Sequence, residues 1–370
     1  MSFRPTRMEV SLESYRHNYR NIRDHVKRRV IAVVKSNSYG MGAVPVAWTL
    51  KSEGVDFFGV ATPDEALELR EAGIRDPILV LGASPYDAAR MYVKEGVRVA
   101  MTDEAMAAEL SKEAVRQGRA AYVHLKVDSG MGRIGFLPHA VGEIASLLRR
   151  LPGIEVEGVF THFAMADEAD LSYTHHQFDV FVKSVEAVKK AGLNPAMIHC
   201  CNSGALMSDL SYMFCDAVRP GHILCGLIPS SDSGHAISIE PCFEVKTAIS
   251  VVRELPEGSS VSYGQTHWTD GPTVTAVLPV GYADGYSRAL SNRGEVLIHG
   301  KRCPVIGRVC MDQCVADVTK LDNPRPGDEV VLIGRQGDEA VTIEDVVDWI
   351  GCNSGMVPLM FSARVPRVYP

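Results

Sequence analysis

Residues 29–42 read RVIAVVKSNSYGMG. Five apolar residues, Val30 to Val34, run straight into Lys35, and a small polar loop with one tyrosine and two glycines follows at once. A short unbroken β-branched run of this kind suits a strand buried on both faces, as in a parallel sheet. An amine at its end is then a group at the C-terminal edge of a parallel strand, where barrel folds carry their chemistry.

Working outward, the first part of the chain repeats the pattern. Strand-like runs fall at Val30–Val34, Asp56–Val60, Ile78–Leu81, Val97–Met101, Ala121–Val127, Ile154–Thr161, Met197–Cys201 and Ala217–Arg219. Segments with helical period lie between them. Thr62-Pro63-Asp64-Glu65 combines an N-cap hydroxyl, a proline at the first helical position and a capping-box glutamate. Ser84-Pro85 is expected to open the next helix in the same way, Gly96 to end it, and Thr102-Asp103-Glu104 to open another. Eight β/α units within about 225 residues suit a closed parallel barrel better than an open doubly wound sheet. No GxGxxG follows the first strand, which weakens a dinucleotide-binding reading.

From about Ile237 the character changes. CFEVKTAISVVRELP, TVTAVLPVGYAD, GEVLIHGKRCPVIG and DEVVLIGR are β-branched runs broken by Gly, Pro and Asp, with one short helix around Thr342–Trp349. The expected class is therefore α/β: an N-terminal eight-stranded parallel (β/α)8 TIM-type barrel over residues 1–236, and a C-terminal, mostly antiparallel β domain over 237–370. The first few residues are candidates to pack with the second domain.

Composition removes several function classes. A net charge of −7 argues against a nucleic-acid partner. No run is long and apolar enough to span a membrane, and MSFRPTRMEV lacks the apolar core of a signal peptide, so a cytoplasmic protein is expected. Nine cysteines without a CxxC pair do not form a disulfide framework in a chain of 370 residues, and neither CMDQC nor Cys200-Cys201 has metal-ligand spacing. No metal site is expected.

The strand ends gather the candidate chemistry. Lys35 ends strand one, Lys126 strand five, His162 strand six, Asn202 and Ser203 strand seven, and Arg219 strand eight. Singly, each reads as a solvated or satisfied rim residue; jointly, they ring one mouth. The loops CNSGAL and RPGHILCG, after strands seven and eight, offer a hydroxyl and glycine-exposed backbone N–H groups where such barrels hold phosphate, although two tight turns would look the same. A phosphate-bearing cofactor beside a lysine amine suggests pyridoxal 5'-phosphate held as a Schiff base.

AVVKSNSYGMG resembles the cofactor-attachment motif of alanine racemases, the fold-type III pyridoxal-phosphate barrel racemases. KVDSGMGRIGF, VFTHFAMADE, CNSGAL, VRPGHILCGLIPS, VSYGQTH, LPVGYADGYSR, VIGRVCMDQ and the terminal RVPRVY resemble further segments of that family, in the same order. The resemblance implies a homodimer that interconverts L- and D-alanine. It implies that Lys35 bonds the cofactor and acts as base on one face of the substrate, and that Tyr263 acts on the other face. Tyr39, Ser203, Gly221 and His222 would hold the phosphate. Arg219 would face the pyridine nitrogen, and His162 would link Arg219 to Tyr263. Arg133 would contact the cofactor's phenolic oxygen and the substrate carboxylate, steadied by a carbamate on Lys126. Tyr263 and the Met311 backbone would come from the other subunit, and Tyr282 would line the entrance.

The chain departs from that pattern in places. Ser36 and Ser38 replace alanines, Met41 a histidine and Cys225 a tyrosine, and His222 replaces an aliphatic residue. In GCNSGMVP, aligned without gaps, Gly355 stands for a phosphate-binding tyrosine and Met356 for a glutamate. If Gly355 holds that position, losing the ring is expected to open space for serine or larger substrates; a local shift of register would instead let Asn353 or Ser354 refill it. Two other classes remain: a basic-amino-acid decarboxylase, against which Arg219 argues because those enzymes place a carboxylate at the pyridine nitrogen, and a non-catalytic cofactor-binding barrel, disfavoured by the full β domain.

Overall fold

The structure is a computed structural model and describes residues 3–370. Two compact units are present: Glu13–Glu240, and the segment up to Leu12 together with Pro241–Pro370.

In the first unit a parallel sheet closes on itself. Arg29–Val30 pairs with Ala217–Val218, while Ala32–Val33 pairs with Phe58–Val60. These two short segments form one strand that changes partner at Ile31, where Ile31 N–H donates to Val218 and the next N–H, of Ala32, donates to Phe57 (both 2.9 Å). The ring continues through Ile78–Val80, Arg98–Met101, Ala121–Lys126, Ile154–Phe160 and Met197–His199. An eight-stranded barrel results, with Ile31, Phe57, Leu79, Met197 and Ala217 as a buried apolar cluster. A closed sheet leaves no open edge, and most strand positions are buried, with Arg29 and Glu155 among those left exposed.

Local chemistry sets most boundaries. Pro63–Glu71 starts with the capping box: Thr62 Oγ1 accepts from Glu65 N–H and Glu65 Oε2 accepts from Thr62 N–H, each at 3.3 Å. Asp103 caps Glu104–Gln117, and Gly96 ends the preceding helix in the left-handed region (φ 60). Ser84 departs from expectation. Its hydroxyl pairs with the Tyr92 hydroxyl at 2.5 Å, and a single 3-10 turn, Tyr86–Ala88, leads into Ala89–Glu95 without a side-chain cap.

Strands five and six carry an irregularity that the sequence does not announce. Val123 pairs with Val156 but His124 pairs with Gly158, so Glu157 is an extra residue in the ladder. A bulge of this type turns a side chain to a new direction. Gly158 is required beside it, because a Cβ there would lie 2.3 Å from His124 Nδ1.

The second unit is almost wholly antiparallel. Its larger sheet pairs Phe243–Ala248 with Glu329–Gln336 and with Arg7–Val10, and among the described residues only the pairing of Arg7–Val10 with Arg367–Val368 is parallel. Val251–Leu255, Thr273–Leu278 and Cys314–Asp317 form a smaller sheet.

Gly158→Val should expose the bulge as built rather than incidental. Overpacking against a fixed ring costs about 1–3 kcal/mol, so chemical denaturation should show a loss of that size; unchanged stability would mean that His124 has room to move.

Candidate active site

The site begins at the end of strand one. Lys35 is half-buried, and its amine has no hydrogen-bond partner among the described residues. Burial lowers its pKa, and the charge of Arg133 lowers it further, against a weaker pull from Glu65. A neutral amine, able to bond a carbonyl carbon or to take a proton, is thereby favoured.

Lys35 is aimed by an unusual turn. Ser36, Asn37, Ser38 and Tyr39 all have φ between 50 and 55°, a left-handed turn built without glycine. Each such residue costs about 1–2 kcal/mol relative to a right-handed conformation, so the surroundings must hold it. Glu65 Oε1 accepts from Ser36 N–H (2.7 Å), Asn37 Oδ1 accepts from Ala43 N–H (2.8 Å), and the Ser38 hydroxyl pairs with Tyr15 (3.1 Å). Tyr15 also donates toward Met41 Sδ (3.2 Å) and Cys225 Sγ (3.3 Å). Three departures from the family pattern, Ser38, Met41 and Cys225, thus meet at one phenol.

The same turn delivers Tyr39. Its ring lies 4.9 Å from the His222 ring, centroid to centroid. A Cβ on Gly221 would sit 2.3 Å from the Tyr39 hydroxyl, so only glycine admits it. Gly221 N–H donates to Ser203 Oγ (3.0 Å), and His222 N–H has no acceptor among the described residues. CNSGAL is not a simple turn: Asn202 caps the short helix Ser203–Met207, accepting from Ala205 N–H at 3.1 Å. The Tyr39 and Ser203 hydroxyls thus lie against the Gly221 backbone, with the His222 N–H next along the chain. Neutral donors at a glycine-bared backbone fit a phosphate, and with Lys35 alongside they fit pyridoxal phosphate.

Arg219 closes the mouth at strand eight and is 3% exposed. Its guanidinium donates to His199 Nδ1 (2.8 Å), Thr161 O (2.6 Å) and Cys200 O (2.9 Å), with His162 Nδ1 at 3.4 Å. Burial, then the Arg219 charge, holds His162 well below the usual imidazole range, so its ring is neutral. Lys126, 2% exposed, donates to Val127 O (3.2 Å), and burial, reinforced by Arg219, lowers its pKa to about 7. Arg133 is exposed on the loop that Asp128 organises by accepting from Gly130 and Gly132 N–H (3.1 and 3.0 Å).

Lys35, Tyr39, Lys126, Arg133, His162, Ser203, Arg219, Gly221 and His222 thus all belong to the barrel unit. Tyr263 and Met311 belong to the other. Tyr263 is 70% exposed on a tight turn flanked by Ser262 (φ 63) and Gly264 (φ 71), and Ser262 Oγ is tied to Arg308 O at 2.6 Å. Met311 is 53% exposed, and its N–H has no acceptor among the described residues. Tyr282, expected at the entrance, is exposed as well. Gly355 is buried at the start of the short helix Met356–Leu359, and Met356 is exposed. His124, Glu157 and His199 were not among the expected residues; the available signal was a charged or imidazole side chain inside each of three apolar strands.

Comparison with known proteins places these motifs. Residues 10–229 match the family model "Alanine racemase, N-terminal domain" and residues 242–369 match "Alanine racemase, C-terminal domain". Alanine racemase 2 of Caldanaerobacter subterraneus subsp. tengcongensis is 44% identical over 369 residues, covering 99% of this chain and 95% of that protein. Alanine racemase of Symbiobacterium thermophilum is 45% identical over 367 residues, covering 99% and 97%. Among solved structures, the alanine racemase of Clostridium difficile 630 superposes with a TM-score of 0.95 at 36% identity, covering 100% of this chain and 97% of that one.

Lys126 gives a pH test. Its folded pKa of about 7 lies below the unfolded value, so between the two the unfolded chain binds more protons and stability rises with pH. Lys126→Met should flatten that rise by up to about 1.4 kcal/mol per pH unit. Urea denaturation at pH 7.5 and 9.5 in carbon-dioxide-free buffer reads it; equal slopes in both proteins would contradict the assignment.

Proposed function

Because the chain belongs to the alanine racemase family, we propose that Lys35 and Tyr263 are its two acid–base groups, moving the Cα proton of alanine on opposite faces. The activity is the interconversion of L- and D-alanine, dependent on pyridoxal phosphate. When bound, the cofactor supplies an electron sink that makes the Cα–H bond acidic. Everything else falls to the chain's own residues.

One observation carries this reading: a half-buried, unpartnered Lys35 amine with lowered pKa, aimed by a strained turn whose next residue but three, Tyr39, reaches the phosphate wall. The neutral amine takes or returns a proton on its face. Tyr39, Ser203, Gly221 and His222 bind the phosphate by neutral donors. Arg133 orients the substrate carboxylate, and a carbamate on Lys126 is supported by that amine's partly neutral state near pH 7.

Arg219 stands where a protonating carboxylate would favour other outcomes. A guanidinium is permanently charged and keeps its protons, so it would not protonate the ring nitrogen. With Arg219 in that place, the chain's own residues would favour return of a proton to Cα over its transfer elsewhere. Arg219, and not a carboxylate, holds this position after strand eight, which counts against the decarboxylase alternative.

The second face requires a second subunit. Tyr263 of the partner subunit would donate or accept the opposite proton, and the N–H of the partner's Met311 would bind the carboxylate. The exposure of both residues in a single chain supports this. The protein is accordingly a homodimer with composite sites. Among the described residues no helix is long and apolar enough to cross a membrane.

A second reading of substrate range rests on Gly355, which offers no ring where the family has a phenol. A hydrophobic pocket rejects an added hydroxyl or methylene by only about ten- to two-hundred-fold, so serine should be racemised beside alanine. Gly355→Tyr should narrow the range toward alanine. A parent protein that already rejects serine more strongly than this would overturn the wide-pocket reading.

Borohydride treatment of the cofactor-loaded protein should fix the label on Lys35, and on no other lysine. Tyr263→Phe should retain cofactor yet lose roughly a hundred- to ten-thousand-fold in rate. Mixing Lys35→Ala with Tyr263→Phe subunits should restore partial activity, because each heterodimer contains one intact composite site. No recovery in verified heterodimers would mean that Tyr263 works within its own subunit.

A further inference from the structure

Arg219 is the end of a longer chain of groups that runs through the barrel. His199 Nδ1 lies 2.8 Å from Arg219 Nη1, and His199 Nε2 lies 2.8 Å from His124 Nδ1. His124 Nε2 lies 3.1 Å from Glu157 Oε2. Glu157 in turn accepts two hydrogen bonds from Arg98, at 2.9 and 3.0 Å. Both imidazoles are fully buried, whereas Arg98 and Glu157 retain some exposure. Arg98 begins strand four and Arg219 follows strand eight, so the chain links the N-terminal end of the barrel to its catalytic mouth.

The protons in this chain have one arrangement. A guanidinium only donates, so His199 Nδ1 must accept from Arg219. The neutral His199 then carries its proton on Nε2 and donates to His124 Nδ1. His124 must likewise carry its proton on Nε2, and it donates to the Glu157 carboxylate. Every bond points from Arg219 toward Glu157, and Arg98 neutralises the carboxylate at the far end. The electrostatics agree. Burial holds both imidazoles below their usual range, and Glu157 falls to about 2 although burial alone would raise it, because His124 and Arg98 hydrogen-bond its charged form.

The backbone is shaped for this chain. Glu157 is the extra residue of the bulge between strands five and six, and Gly158 leaves the space that the His124 ring fills. The Phe160 ring stacks on His199 (5.0 Å, 2° between planes) and holds it in plane.

We propose that Glu157, seated by Arg98, acts through His124 and His199 as a remote positioning residue for Arg219. The carboxylate draws on the His124 N–H, which makes the opposite nitrogen a stronger acceptor; His199 responds in the same way, and its Nδ1 grips the guanidinium more firmly. This inference rests on the racemase reading only in taking Arg219 as the group that faces the cofactor ring.

The test uses cofactor-loaded protein labelled with 15N-histidine, as the parent and as Glu157→Gln and Glu157→Asp. Glutamine keeps an oxygen for His124 but removes the charge. In the parent at pH 7.5, both imidazoles should be neutral with the proton on Nε2. Glu157→Gln should shift the His199 Nδ1 resonance, two groups away, and lower kcat about ten-fold with KM within about two-fold. Glu157→Asp should recover part of both. A parent imidazole that is doubly protonated or carries its proton on Nδ1 would overturn the proposal, as would Glu157→Gln with an unchanged His199 resonance and kcat. Should Glu157→Gln fail to fold, the parent tautomers still decide. Should the loaded parent fail to racemise alanine, the racemase reading falls, while the tautomers judge the chain independently.

Discussion

A permanently charged guanidinium buried at the end of a barrel strand is the constraint around which the site is organised. An isolated charge in that position would be prohibitively costly, so Arg219 has to be given acceptors. It finds two backbone carbonyls, of Thr161 and Cys200, at the ends of strands six and seven, and the imidazoles of His199 and His162. Burial first, and then the neighbouring Arg219 charge, hold both imidazoles well below their usual range and so neutral. One charge at the mouth thus sets hydrogen-bond directions through much of the barrel interior.

The opposite side of the site answers a different problem. The Lys35 amine has to be neutral and correctly aimed, and a regular strand end gives only a rim position. The left-handed turn Ser36–Tyr39 redirects the chain directly after Lys35 and carries the Tyr39 hydroxyl to the Gly221 backbone. Its strain is offset by Glu65, by Asn37 and by the phenol of Tyr15. The residues that differ from the family pattern at Ser38, Met41 and Cys225 meet at the one phenol of Tyr15.

Much of this was legible in the sequence because it depends on local pattern. The eight apolar runs, the capping box at Thr62, the short helix after Thr342 and the strand-end positions of Lys35, Lys126, His162 and Arg219 follow from periodicity and turn chemistry. The hidden features depend on partners distant in the chain. Serine, asparagine and tyrosine do not signal positive φ as glycine does, so the turn after Lys35 shows only once Glu65 and Tyr15 are in place. The bulge at Glu157 is invisible until strands five and six are paired, and Ser84 turns from cap to Tyr92 partner for the same reason. CNSGAL reads as a phosphate-holding loop or a tight turn, and its short helix Ser203–Met207 was not legible because five residues carry too little period to show one.

The claim on which the whole account depends is that two groups on opposite faces move the Cα proton. Following each enantiomer of alanine in deuterium oxide through its first turnovers tests it most directly. Two bases predict that the product enantiomer carries deuterium at Cα almost completely, in both directions, while the unreacted enantiomer keeps its original hydrogen at early times. Substantial transfer of the original hydrogen into the product, in either direction, would show a single group serving both faces and would contradict the account.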